Sequence, residues 1–215
     1  MSYSLYLIDE TTRREHSHLT IEDECHYLMN YTARAGYNYS PENSMISNIK
    51  KKLDKKGTTE WQYKLQDMYK LGQIFRKILS GIVDFNETTI VPIPPSKTKS
   101  DPLYDNRLNR ILNVACHGKD ADIRDLIMVN ESVDATHTLE EQGRPRYTID
   151  EIKANCSFDP LYVKNVKPVI MLFDDVLTAG SHFKAYKEVI EAGFPDRDIF
   201  GVFIARRIQL NVFDL

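Results

Sequence analysis

Residues 169–183, VIMLFDDVLTAGSHF, limit the fold more than any other stretch. Residues 169–173 are apolar throughout, the make-up of a buried strand. Two adjacent acids, Asp174 and Asp175, stand at its carboxyl end. Val176, Leu177, Thr178, Ala179, Gly180 and Ser181 read as a short loop, and residues 182–192 as a helix stopped by Gly193. Strand, loop and helix in that order build parallel sheets, and open α/β sheets take ligands at the carboxyl ends of such strands. The first amides of the helix offer an anion site, and Gly180 lets a phosphate come close to the backbone. Thr178 and Ser181 add hydroxyl donors. Two carboxylates would repel that phosphate, so they call for another partner: sugar hydroxyls, or Mg²⁺. A ribose 5-phosphate satisfies both ends of the arrangement.

Strands and helices alternate after about residue 85, which predicts an α/β class with an open, mostly parallel sheet and helices on both faces. Residues 89–93 are β-branched and apolar, and Pro92, Pro94 and Pro95 end that strand abruptly. A helix is expected over 105–116, a short strand over 126–129, a capped helix from Thr148 with Glu151, and a last buried strand over 199–205. Residues 130–145 are polar and aperiodic, the pattern of a mobile loop. The N-terminal part reads as mainly helical after a short strand at 4–8. Thr20 and Asp23 look like a helix start, with Ile21, Cys25, Leu28 and Met29 on one face. Ser40 and Pro41 start a second helix. The longest is expected over 60–79, stopped by Gly81. The run KKKLDKK, residues 50–56, closes the second helix. A solvated helix end explains it, and a phosphate or nucleic-acid contact is the sharper reading. The division expected is 1–84, a helical N-terminal region or hood, and 85–215, the α/β core.

The acid-pair segment resembles the ribose-phosphate motif of type I phosphoribosyltransferases: two acids, two apolar residues, Thr-Thr-Gly, any residue, then Thr. Asp174, Asp175, Thr178 and Gly180 match it, while Ala179 and His182 replace its second and last threonines. Within that fold the chain is similar to the ComF group. IVPIPPSK resembles its strand and pyrophosphate loop, and DIFGVFIARR its last strand. The stretch from Lys153 into the acid pair, with Phe158, and the YNYSPENSMISNIKKK segment extend the likeness over about residues 31–207. The cysteine-rich zinc element of many ComF proteins is absent, and YDNRLNR replaces an Arg-Gly-Phe-Asn-Gln element.

The resemblance implies a phosphoribosyltransferase-like fold binding PRPP with Mg²⁺, the metal arriving with the ligand rather than in a protein cage. Asp174 and Asp175 would hold the ribose hydroxyls, and the loop from Val176 to His182 the 5-phosphate. Pro94, Pro95, Ser96 and Lys97 would face the pyrophosphate. Arg107 sits at a helix start, which disfavours a cation unless an anion is near. Arg144 and Arg146 flank the mobile loop, and one of them would bring charge to the pyrophosphate; His137 in the same loop is a candidate proton donor or acceptor. One reading is a glycosyltransferase acting on a nitrogenous acceptor. A second is a catalytically inactive regulatory or effector subunit in a DNA-uptake or phage-defence system. A receiver-like or flavodoxin-like domain using the acids for Mg²⁺ is the third, and the proline-rich loop argues against it. A homodimer or a protein complex partner is in keeping with the family. The net charge of −3 gives no global attraction for nucleic acid. No apolar run reaches the roughly 18 residues of a membrane span, and the first residues lack the pattern of a leader. Cys25, Cys116 and Cys156 are far apart, as expected of free thiols in a cytoplasmic protein.

Overall fold

The computed structural model describes residues 3–134, 143 and 145–210. In chain order the strands are β1 (Tyr6–Leu7), β2 (Cys25–Ala33), β3 (Thr88–Pro92), β4 (Asp122–Ile123), β5 (Ile127–Val129), β6 (Cys156–Phe158), β7 (Val169–Leu177) and β8 (Asp198–Gln209). The α-helices are α1 (Glu10–Arg13), α2 (Pro41–Ile49), α3 (Thr59–Ile82), α4 (Arg107–Ala115), α5 (Ile149–Ala154) and α6 (Ser181–Gly193). The main sheet runs β1-β2-β8-β7-β3-β4, parallel except for β1. β5 and β6 form a separate antiparallel pair.

β7 lies at the centre and is covered on both faces, as its unbroken apolar run requires. Met171 and Phe173 join the core made with α2, α3 and α4, where Ile46, Leu71, Phe75 and Leu112 are sealed from solvent. Ile170 and Leu172 face the other way, toward Phe183 and Ile190 of α6. The expected α/β sheet with helices on both faces is present. No helix among the described residues is long and apolar enough to cross a membrane, and the three cysteines are free.

The helix expected after Thr20 is instead a turn followed by β2. The Asp23 carboxylate does accept from the Thr20 amide at 2.8 Å and hydroxyl at 3.0 Å, but this closes a turn. Ile21, assigned to the apolar face, is 77% exposed. The next residues, CHYLMNYTA, pair in parallel with β8 from Cys25 against Gly201 to Ala33 against Gln209. A long unpaired edge of β8 outweighs a weak helical spacing. The first 84 residues are therefore mixed rather than helical, and the main sheet spans both sides of residue 84.

Gly81 does not stop α3, which runs on to Ile82. Another glycine of that helix is the tight one. A Cβ at Gly72 would stand 2.5 Å from Val114 Cβ and 3.1 Å from the Ile111 carbonyl oxygen, because α3 and α4 cross there. Gly72→Ala is expected to cost about 2 kcal/mol by forcing the two helices apart. Urea unfolding of the variant checks this, and an unchanged midpoint would contradict it.

Candidate functional site

The connections of the two central strands diverge. β3 leads through α4 to β4 on one side, and β7 leads through α6 to β8 on the other. Their carboxyl ends flank a topological switch point, the place where open α/β sheets form a ligand crevice. Both segments singled out in the sequence meet there. The proline-rich loop leaves β3, with the Ile93 amide still donating to the Phe173 carbonyl at 2.8 Å. The acids lie in the last stretch of pairing of β7, and the glycine loop follows it.

The acids are not at the end of their strand. β7 continues through Val176 and Leu177, pairing Asp174 with Phe203 and Leu177 with Arg206. The loop proper is thus Thr178 to Gly180, and α6 begins at Ser181. A strand can hold Asp175 in its interior because the charge is matched. Arg107 Nε donates to Asp175 Oδ2 at 2.8 Å, with Nη2 on the same oxygen, and Lys50 Nζ lies 3.1 Å from Oδ1. Arg107 also donates to Asp105 at 3.1 Å. Asp105 accepts from the buried Lys64 ammonium at 2.6 Å, and Lys64 donates to the Lys51 carbonyl at 2.7 Å. One chain of charges therefore joins α2, α3, α4 and β7. The anion that the position of Arg107 called for is Asp175, together with Asp105.

The two acids differ sharply. Burial opposes charge on both. For Asp175, Arg107 and Lys50 override it and hold the carboxyl well below the usual range. For Asp174, burial and then the neighbouring Asp175 charge push the pKa up. Asp174 Oδ1 accepts the Asp175 amide at 2.7 Å, and among the described residues no cation bonds its other oxygen. Asp174 is the less buried of the two acids.

Gly180 caps α6 in the left-handed region, φ +91°, with no side chain capping the helix. A Cβ there would also meet Leu19 Cδ2 at 2.9 Å. The amides of Thr178, Ala179, Gly180, Ser181 and His182 make no hydrogen bond to another described residue. Unbonded amides at a helix N-terminus are able to take an anion, and Thr178 and Ser181 add hydroxyls to the same loop. Burial holds the His182 ring below the ordinary histidine pKa, and the ring stacks on Tyr186 at 6.4 Å.

Pro94 and Ser96 line a cavity of about 520 Å³ together with His182 and Tyr186. Pro95 and Lys97 line a neighbouring one of about 430 Å³, and the two share Pro94, Val129 and Asn130 as a wall. Lys99 is held by Asp125 at 3.0 Å and Asp159 at 3.6 Å, while Lys97 makes no ion pair among the described residues. The polar segment is anchored at its start: the Val133 amide donates to the Ser96 carbonyl at 2.8 Å. Arg146 is close enough for its charge to depress the His182 pKa. Arg144 and His137 lie outside the described residues.

Among the described residues no group of three or more His, Cys, Asp or Glu is placed to hold a metal. Asp174 offers one carboxylate, which suits a Mg²⁺ ion that arrives on a phosphate ligand and keeps its waters. Sequence reasoning missed Lys64, Asp105 and Tyr186. It noticed Lys50 only as part of a lysine run, of which Lys51 bonds Asn48 at 2.7 Å and Lys55 lies 3.9 Å from Glu60. No family model, curated protein or solved structure matches the chain.

Proposed function

We propose that the protein binds a 5-phosphoribosyl ligand at the switch point, PRPP with Mg²⁺ being the fullest match, and transfers its ribosyl phosphate to a nitrogenous acceptor. One observation carries this reading: an uncapped helix N-terminus at Gly180 lies a few residues beyond a single free acid, Asp174, on the central strand. The free amides of residues 178–182 hold the 5-phosphate. Asp174 accepts from the ribose hydroxyls, and ligation to a charged group favours its ionised form. Arg107 and Lys50 neutralise Asp175 and so reduce the negative field that an incoming phosphate would meet. Lys97 stands beside the proline-rich loop, where it stabilises charge on a departing pyrophosphate. The magnesium supplies further charge neutralisation on that leaving group. The C1–O bond breaks with its electron pair going to pyrophosphate, the C1–N bond forms, and the acceptor nitrogen loses its proton to solvent or to the leaving group.

The engagement of Asp175 favours a second reading, a regulatory or effector protein that binds the same ligand without turnover. With Asp175 tied to Arg107 and Lys50, only one acid faces the sugar. Calorimetric titration with PRPP and Mg²⁺ tests both. Asp174→Asn is expected to weaken binding about tenfold, the loss of one charged hydrogen-bond acceptor. Consumption of PRPP with a nitrogenous base, lost in Asp174→Asn, supports transfer, and binding without consumption supports the regulator. No binding by the folded parent chain overturns both.

A further inference from the structure

We infer that the turn at residues 16–19 is a positioning element for the phosphate loop, and that His16 aims the Ala179 amide by holding the Thr178 carbonyl. This rests on the reading of residues 178–182 as an anion cradle. His16 Nδ1 bonds the Thr178 carbonyl oxygen, and the His18 amide donates to the Ala179 carbonyl at 2.9 Å. A trans peptide is planar, with its C=O and N–H on opposite sides. Pinning two successive carbonyls to one side therefore turns the Ala179 and Gly180 amides to the other. Successive amides turned one way, with Gly180 left-handed, form an anion-binding concavity. Strand geometry would alternate them, and a free loop would let them rotate.

The turn is itself held firmly. The Leu19 amide donates to the His16 carbonyl at 2.9 Å, and the Leu19 side chain packs on Gly180. Asp23, four residues on, is gripped by Lys184 and Lys187 of α6, at 2.9 and 2.7 Å. The turn is therefore tied to the helix that follows the loop by both ion pairs and packing.

His16 looks like a device for this bond rather than a packing residue. It is fully buried. A carbonyl can only accept, so Nδ1 carries the proton and Nε2 is the bare nitrogen, which finds no partner among the described residues. An apolar side chain would fill the space without leaving a buried nitrogen unsatisfied. Burial also lowers the pKa of the ring, consistent with this neutral tautomer.

The experiment is calorimetry with ribose 5-phosphate, and separately with inorganic phosphate, on the parent chain, His16→Phe and His16→Asn. Folding is followed in parallel by circular dichroism. His16→Phe keeps the bulk and removes the donor, and is expected to weaken both ligands about tenfold. His16→Asn keeps a side-chain N–H close to the position of Nδ1 and is expected to recover most of the affinity. Parent-like binding by His16→Phe would overturn the inference alone, as would His16→Asn binding no better than His16→Phe. Failure of the parent chain to bind either probe would overturn the cradle reading itself, and this inference with it. Should His16→Phe not fold, His16→Ala carries the same comparison.

Discussion

Asp175→Asn is expected to melt about 10 °C below the parent chain, and Asp174→Asn within about 2 °C of it. The two residues are neighbours with the same chemistry, and only their surroundings separate them. Asp175 has a side chain only 6% exposed and answers two cations. Removing one member of a buried pair leaves its partner charged and desolvated, at a cost of about 3 kcal/mol. Lys50, the more exposed partner, can turn toward water, so the loss falls on Arg107, which keeps only Asp105. For a chain of this length, each kcal/mol is worth roughly 3 °C in Tm. Asp174 bonds no cation among the described residues, and its carboxyl already resists ionisation. An asparagine there removes a charge that burial disfavours. Thermal melts at neutral pH, followed by circular dichroism, make the comparison. Equal melting temperatures for the two variants would show that the pair is not divided as described.

The contrast also explains what could be read in the sequence. The buried β7, the helix behind it and the glycine between them were legible because each depends on residues adjacent in the chain. An apolar run needs burial on both faces, and a left-handed cap needs glycine. The cap of α5 was legible for the same reason, since Thr148 and Glu151 satisfy each other locally, with the Thr148 amide donating to Glu151 at 2.8 Å. β2 was not, because its strand character comes from the edge of β8, about 175 residues away in the chain. The same limit hid the charge relay. Lys64 lies within a helix whose other residues follow an apolar stripe, and only the fold brings it to Asp105, 41 residues on. Arg107 was partly legible, since a cation at a helix start called for an anion, although not for one 68 residues distant. His16 gave no local signal, because its role depends wholly on a loop 162 residues away. The elements were thus readable where local chemistry decides them. The neutralisation of Asp175 by Arg107 and Lys50 required the tertiary fold.

Loss of the carboxylate at Asp23 is the second large effect expected, and it carries a pH signature. The Asp23 side chain is sealed from solvent, accepts from the Thr20 amide and hydroxyl, and takes Lys187 at 2.7 Å and Lys184 at 2.9 Å. Burial works against the ionised form, but the Lys187, Thr20 and Lys184 bonds prevail and bring the pKa from 3.8 down to about 2. The folded value lies below the unfolded one, so the unfolded chain binds more protons in this range. The stabilisation is fully present above about pH 4 and is lost as the pH falls through about 2, amounting to about 2 kcal/mol. Asp23→Ala is expected to cost about 3 kcal/mol at neutral pH, because two ammonium groups then face each other with nothing between them. Its stability should also fall less steeply than that of the parent chain between pH 4 and pH 2. Urea unfolding across that range measures both. Parallel pH profiles for parent and variant would remove Asp23 as the source of the acid response. The same residue locks the N-terminal turn to α6, so the variant should also loosen the grip on Thr178 and Ala179. Weaker ribose 5-phosphate binding at pH 7, under conditions where Asp23→Ala remains folded, would tie the stability of this clasp to the shape of the loop.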